Sequence, residues 1–187
     1  VQLFRQAVEH AGHAIYITDN EGTITYVNPA FEETTGYDSD HAIGRTPRIL
    51  NSGEHEKAFY QDLWSTILSG ETWENTLINR RRDGRRIYID QTIAPIIDNS
   101  GEIGHFVAVS TDISKTRRQQ QQLQVLYRVL RHNLRNQLNI IEGYSSILDE
   151  ERSGSKSQKA MSGIEDAVDD LLRISEQARR IEGTFRG

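Results

Sequence analysis

All three prolines of this 187-residue chain, Pro29, Pro47 and Pro95, lie in its first half, and none interrupts residues 96–187. A proline inside a helix removes a backbone donor and clashes with the preceding turn. A long proline-free tract rich in Gln, Arg, Leu and Glu can therefore run as long helices, and the chain reads as two differently built parts. Charge divides at the same place. Residues 1–112 carry 9 Lys/Arg and 17 Asp/Glu, whereas residues 113–187 carry 13 and 10. Eleven of the fourteen aromatic residues precede position 112, leaving Tyr127, Tyr144 and Phe185 after it. The expected domains are thus 1–112, sheet-containing and globular, and 113–187, helical. The absence of cysteine excludes a disulfide scaffold and a Cys-ligated metal centre. No leader and no apolar run near the roughly 20 residues of a membrane helix is visible, so the expectation is a cytoplasmic protein without a membrane segment.

In the first part, residues 14–18 and 23–27 are short β-branched and aromatic runs joined by Asp19-Asn20-Glu21-Gly22, a hairpin pattern. Asn28-Pro29 starts a helix. Phe59, Leu63, Trp64, Ile67 and Leu68 recur at helical spacing. Strand-like runs follow at about 74–82, 85–97 and 103–111, with Asp83-Gly84 and Asn99-Ser100-Gly101 as turns. This order predicts an α+β fold, a five-stranded antiparallel sheet with helices on one face.

The second part predicts a helical hairpin: a helix from about 113 to 148, a polar turn over 151–155, and a helix from about 157 to 181. Apolar stripes run through Leu123, Leu126, Leu130, Leu134, Leu138, Ile141 and Leu148, and through Ile164, Val168, Leu171, Leu172 and Ile174. Two helices alone leave such stripes exposed, which predicts a homodimer closing a four-helix bundle. At about 100° per residue, His132 lies roughly 180° from Leu123 and Ile141, facing away from the seam. A lone exposed helical His is ordinarily a surface residue. On a rigid dimeric hairpin it has the geometry of a phospho-acceptor, an accessible ring nitrogen on a fixed scaffold.

Arg131-His132-Asn133-Leu134-Arg135-Asn136-Gln137-Leu138 resembles the H-box of sensor histidine kinases, in a form similar to haloarchaeal kinases, and the likeness to their dimerisation and phosphotransfer (HisKA-like) hairpin covers about 120–185. The resemblance implies that His132 accepts phosphate, with a response regulator as onward partner. Asn133 stands where the family usually has an acidic base. An amide can set the imidazole tautomer but cannot take a proton, so the base is unassigned. Asn136, one turn on, falls where the family often has a residue that orients water for phosphatase action. The nucleotide boxes of the kinase's ATP-binding domain are not present up to Gly187, and no phosphate-binding loop occurs elsewhere. The expectation is an enzyme fragment, a protein histidine kinase inactive without that domain and meeting ATP only through it.

Ile17-Thr18-Asp19, Tyr26-Val27-Asn28-Pro29-Ala30-Phe31, Thr35-Gly36-Tyr37 and Thr111-Asp112-Ile113-Ser114 together resemble PAS domains. Gly44-Arg45-Thr46-Pro47-Arg48-Ile49-Leu50-Asn51 is similar to the segment of light-oxygen-voltage (LOV) flavin domains that carries the adduct-forming Cys, with Pro47 in its place, so no photoadduct is expected. Trp73, Asn79-Arg80-Arg81 and Gln91 to Pro95 resemble the FAD-binding redox domain of NifL. The resemblance implies a flavin, FAD or FMN, with Asn79 on the ring, Arg48 near the phosphate, Thr46 and Asn51 on the same segment, and Trp73 lining the pocket. Ile89 and Ser110 occupy the places of the second ring-binding Asn and the switching Gln, which leaves an empty or small-ligand pocket as the alternative and haem as a third. His55 is the one position suited to a haem ligand. The five arginines at 80–82, 85 and 86 read as a solvated hairpin tip; the domain's acidic balance argues against nucleic acid. The function expected is a PAS-sensed signal controlling phosphorylation of His132. The alternative is a non-catalytic PAS and coiled-coil module acting by protein contact.

Overall fold

The computed structural model describes residues 2–150 and 155–185. It divides into two compact units, Val1–Arg118 and Gln119–Gly187. In the first, helix α1 (Gln2–Glu9) precedes strands β1 (Ala14–Asp19) and β2 (Ile24–Val27). Helices α2 (Pro29–Thr35) and α3 (Ser39–Ala42), a 3-10 turn (Pro47–Leu50) and helix α4 (Lys57–Leu68) follow, then β3 (Trp73–Arg80), β4 (Arg86–Ile97) and β5 (Ile103–Asp112). The expected five strands and antiparallel pairing are present; α1 is an addition, and α3 and the 3-10 turn fill the segment between the first two strands and α4.

Spatial order is β2-β1-β5-β4-β3, so β1 sits between its hairpin partner and the last strand. Side chains alternate across a strand, and the buried phase is Ala14, Tyr16 and Thr18 on β1, Ile87, Ile89, Gln91 and Ile93 on β4, and Phe106, Ala108 and Ser110 on β5. Helices α2 and α4 pack on that face. The core centres on Ile24, Phe31, Ile67, Trp73, Ile89 and Phe106.

Asn28 ties the entry of this unit together. Its side-chain oxygen accepts from Phe31 N at 3.0 Å, capping α2, and from Ile15 N at 2.8 Å. Its Nδ2 donates to Val8 O at 3.0 Å and to His13 O at 2.9 Å. Pro29 occupies the first turn, where its missing N–H costs nothing, and Gly36 closes the helix in the left-handed region at φ 74°.

The arginine-rich hairpin tip is solvated as expected, with Arg80, Arg82, Arg85 and Arg86 exposed, and Arg81 alone turns inward. Arg81 donates to Glu33 O at 3.0 Å and to Thr34 O. Arg82 pairs with Asp38 at 2.7 Å, Arg85 with Asp83 at 2.8 Å and Arg86 with Glu54 at 2.6 Å. The last turn of a helix leaves carbonyls without partners, and the guanidinium of Arg81 fills that need at the end of α2.

The second unit comprises most of α5 (Ser114–Glu150) together with α6 (Ser155–Phe185). The polar turn expected over 151–155 lies outside the described residues apart from Ser155. Small residues let the helices approach: Ala160 and Ala167 are buried, and a Cβ at Gly163 would run into the Tyr144 ring. Of the expected stripes, Leu123, Leu126, Leu130 and Ile141 on α5 and Ile164, Leu171 and Ile174 on α6 are half-buried, as are Gln137 and Tyr144. Leu134 and Leu138, expected in that seam, instead flank it, 41% and 57% exposed, as do Val168 and Leu172 on α6 at 41% and 60%.

Candidate functional site

A cavity of about 800 Å³ lies between the inner face of the sheet and the α4 side of the first unit. That volume is within the range of sites that enclose cofactor-sized ligands. Its apolar wall includes Leu50, Leu63, Trp64, Ile67, Leu77, Ile93 and Phe106. Trp64 packs edge-on against Phe106 with ring centroids 6.0 Å apart, and its far edge lies 2.8 Å from where a Cβ on Gly22 would stand. Gly22 sits at φ 85°, so the β1–β2 turn closes over the indole only with glycine there.

Polar groups enter this wall at few points. Asn79 on β3 and Gln91 on β4 are buried and line the cavity. The side-chain amide of Asn79 makes no side-chain hydrogen bond among the described residues and opens on the cavity. Gln91 Nε2 donates to Tyr16 Oη at 3.2 Å. Burial pushes the Tyr16 phenol up to about 12, with the Gln91 bond acting weakly the other way. Thr46, Pro47, Arg48, Asn51 and Lys57 line the cavity too, and all but Pro47 are exposed, which places two cationic side chains where the cavity meets solvent.

Of the residues expected to contact a cofactor, Asn79, Arg48, Thr46 and Asn51 line this cavity. Asn51 is also committed to the fold: its Oδ1 accepts from Gly53 N at 2.8 Å and from Tyr60 Oη at 3.3 Å. Trp73, Ile89 and Ser110 are buried but lie outside the lining. Trp73 Nε1 donates to Asp62 Oδ2 at 3.0 Å and its ring packs against Phe59, so it is a core residue, and Trp64 is the cavity's indole. His55 accepts the Ile78 amide proton on Nε2 at 2.8 Å and stacks on Phe59, which removes that nitrogen as an axial haem ligand. The sequence reading passed over Gln91, Tyr16 and Trp64 as cavity residues. For Gln91 a signal existed: it is the one polar residue in phase with Ile87, Ile89 and Ile93.

The cavity's unit hands on to α5 through a short polar latch. Asp112 Oδ1 accepts from Ser114 N at 2.8 Å, Ser114 Oγ accepts from Tyr88 N at 2.9 Å, and Ile113 N donates to Tyr88 O at 2.9 Å. The Arg117 guanidinium lies 4.8 Å above the Tyr88 ring. Both ends of this latch meet β4, three residues from Gln91.

On the second unit, His132 is exposed. Its Nδ1 lies 3.3 Å from Asn136 Nδ2, one turn on. Residues four apart share a helix face while neighbours are turned by about 100°, so Asn136, and not Asn133, meets the ring. An amide can turn over at no cost in shape, and with its oxygen toward Nδ1–H it leaves Nε2 as the free acceptor nitrogen. Asn133, Asn136 and Gln137 border a cleft shared with Asp170, Arg173 and Ile174. There Gln137 Nε2 donates to Asp170 Oδ2 at 3.0 Å, and Arg173 pairs with Asp170.

A five-stranded antiparallel sheet carrying helices on one face, with a ligand-sized cavity between them, defines the α+β sensory domain of signalling proteins. The PAS fold family matches residues 2–113, and the chain belongs to it. The nitrogen fixation regulatory protein of Klebsiella pneumoniae is 38% identical over 140 residues, which cover 75% of this chain and 26% of that protein. The bacterioopsin transcriptional activator of Halobacterium salinarum is 29% identical over 199 residues, covering 97% of this chain and 30% of the activator. A blue-light-activated histidine kinase of Brucella canis is 29% identical over 114 residues, covering 59% of this chain and 23% of the kinase. The chain thus spans between a fifth and a third of the length of these relatives. Among solved structures, an RNA-binding light-oxygen-voltage receptor matches 70% of this chain and 37% of its own at a TM-score of 0.61 and 25% identity. The LOV domain of the Erythrobacter litoralis blue-light activated histidine kinase matches 56% of this chain and 99% of its own at a TM-score of 0.52 and 27% identity. No described helix is long and apolar enough to cross a membrane.

Proposed function

We propose that the chain is the signal-sensing and phospho-acceptor portion of a two-component sensor histidine kinase, with residues 1–112 as the sensor and 113–187 as a homodimeric phosphotransfer hairpin. The observation that carries the acceptor assignment is the exposed His132 with its Nδ1 beside Asn136. With the Asn136 amide turned over so that its oxygen accepts from Nδ1–H, His132 presents its Nε2 lone pair to solvent. A bond forms from Nε2 to the γ-phosphorus of ATP, the bond to the bridging oxygen breaks, and ADP leaves; the Nδ1 proton stays on the ring, shared with the Asn136 carbonyl oxygen. This needs no carboxylate at 133. ATP would be supplied by a kinase ATP-binding domain, and the phosphoryl group would pass to an aspartate on a response regulator.

The sensor's ligand is proposed to be a flavin, FMN or FAD. The fit rests on the Asn79 amide open to the cavity, with a donor and an acceptor that match a flavin ring edge, on the apolar wall with Trp64, and on Arg48 and Lys57 beside solvent, where a phosphate would lie. A bound flavin would supply redox or light sensitivity; the chain's residues hold and orient it. With Pro47 lining the cavity, no thiol is available for an adduct.

One reading competes, a PAS and helix module acting by protein contact alone. Asn133 in the place of an acid favours it, as does the match of 97% of this chain to a relative named as a transcriptional activator. The deciding experiment adds a histidine-kinase ATP-binding domain in trans with γ-labelled ATP. Acid-labile label on the wild type and none on His132→Ala is the expected result. Equal label on both removes His132 as acceptor, and label on neither favours the contact module.

A further inference from the structure

Tyr16 and Gln91 meet across a strand that separates them. Tyr16 on β1 lies opposite Ala108 of β5, and Gln91 on β4 lies opposite Ser110 of β5. Strands are about 4.8 Å apart, so two side chains on either side of an intervening strand touch only where that strand's inner face is small. Ala108 and Ser110 provide this, and the 3.2 Å bond from Gln91 Nε2 to Tyr16 Oη spans the gap. Gln91 is 3% exposed and Tyr16 6% exposed, and both border the cavity.

The pair is half complete. Gln91 Oε1 has no hydrogen-bond partner among the described residues, and the cavity is the open space beside it. We propose that Gln91, held by Tyr16, is the residue that reads the hydrogen-bonding edge of the planar heteroaromatic ligand in this cavity. This rests on the flavin reading above and deepens it. The hydroxyl of Tyr16 both donates and accepts, so it satisfies either orientation of the amide. With Nε2 toward Tyr16, Gln91 presents an acceptor to a ring N–H; turned over, it presents a donor to a ring nitrogen or carbonyl. Asn79 alone cannot serve both sides of such a ring, because it lies on β3, and Gln91's neighbour on that strand is Asn75, four residues from it.

The test loads the full chain with FMN, and separately with FAD, and compares wild type, Gln91→Met, Gln91→Leu and Tyr16→Phe. Gln91→Met keeps length and volume while removing both amide functions, so it remains informative should the leucine variant fail to fold. In the wild type the infrared bands of the bound ring are expected to differ from those in Gln91→Met, with the ring N–H bend shifted if Gln91 accepts and the carbonyl stretch lowered if it donates. Affinity is expected to fall about five- to tenfold in Gln91→Met, the usual effect of losing one hydrogen bond to a buried partner. Tyr16→Phe is expected to change the carbonyl band while retaining most of the affinity. A flavin-loaded wild type whose ring N–H and carbonyl bands and Kd match those of Gln91→Met overturns the role of Gln91 and leaves the flavin reading intact. Failure of the folded wild type to take up either flavin overturns both.

Discussion

The buried residues with the most defined consequences are polar. Asn28 makes four hydrogen bonds to backbone groups of α1, β1, α2 and the segment between α1 and β1. Asn28→Ala is expected to destabilise the first unit by roughly 2–4 kcal/mol, since it removes a helix cap and leaves the Ile15 amide without its side-chain partner; chemical denaturation measures it. Tyr16 gives a pH dependence with a definite sign. In the unfolded chain its phenol ionises near 10, whereas in the fold burial holds the proton to about 12. The unfolded state therefore loses the proton first. The contribution is complete below pH 10 and is lost as pH rises toward 12, at about 1.4 kcal/mol per pH unit. Denaturation midpoints measured from pH 9 to 12 should fall more steeply for the wild type than for Tyr16→Phe. At this scale the sequence was partly legible: Asn28-Pro29 announced a helix start, but that one side chain also fastens α1 and β1 depends on strand neighbours no local pattern reveals.

At the scale of elements, alternation and turn residues were enough to place all five strands to within two residues, because the strands other than the short β2 bury one face and turn the other outward. The four-residue α3 and 3-10 turn have too few residues for a helical period to declare itself, whereas the eight-residue α1 shows one and was passed over. The arginine-rich tip is solvated, as its charge density predicts, but the inward turn of Arg81 was not legible, because its partners Glu33 and Thr34 belong to a distant helix. The cavity was legible through Asn79 and Arg48 by resemblance, yet Gln91 was not, since the strand pairing that brings it to Tyr16 across β5 is a property of the sheet. The latch at the start of α5 belongs here too. Ser114 caps Tyr88 N while its own amide is held by Asp112. Ser114→Ala and Asp112→Ala are each expected to leave ligand uptake unchanged while raising amide exchange at Tyr88 and at the first turn of α5. Unchanged exchange in both variants would show that the latch does not hold that turn.

For the whole molecule, the two units differ in how they satisfy their apolar surface. The first has an enclosed core. Among the residues of the hairpin whose burial is described, Ala160 and Ala167 alone are fully buried, Gly163 lies against Tyr144, and Leu134, Leu138, Val168 and Leu172 are exposed. The heptad-like stripe was visible in sequence, but not how it would divide between the seam within one hairpin and a face left outside it. Burial of apolar surface stabilises by about 25 cal/mol per Å², so covering four such side chains in each of two copies would contribute several kcal/mol to association. A second copy of the hairpin is the partner expected, because it offers the same leucines in a symmetric four-helix arrangement. Sedimentation equilibrium of the full chain should give a dimer. Leu138→Glu combined with Leu172→Glu should give a monomer whose first unit still folds and binds ligand, because neither position belongs to that unit. Gly163→Leu should act differently, forcing Tyr144 out of the space between the helices, so its hairpin should lose helicity as well as association. A dimer that survives the double glutamate variant with its helicity intact would mean that these leucines do not form the contact between copies.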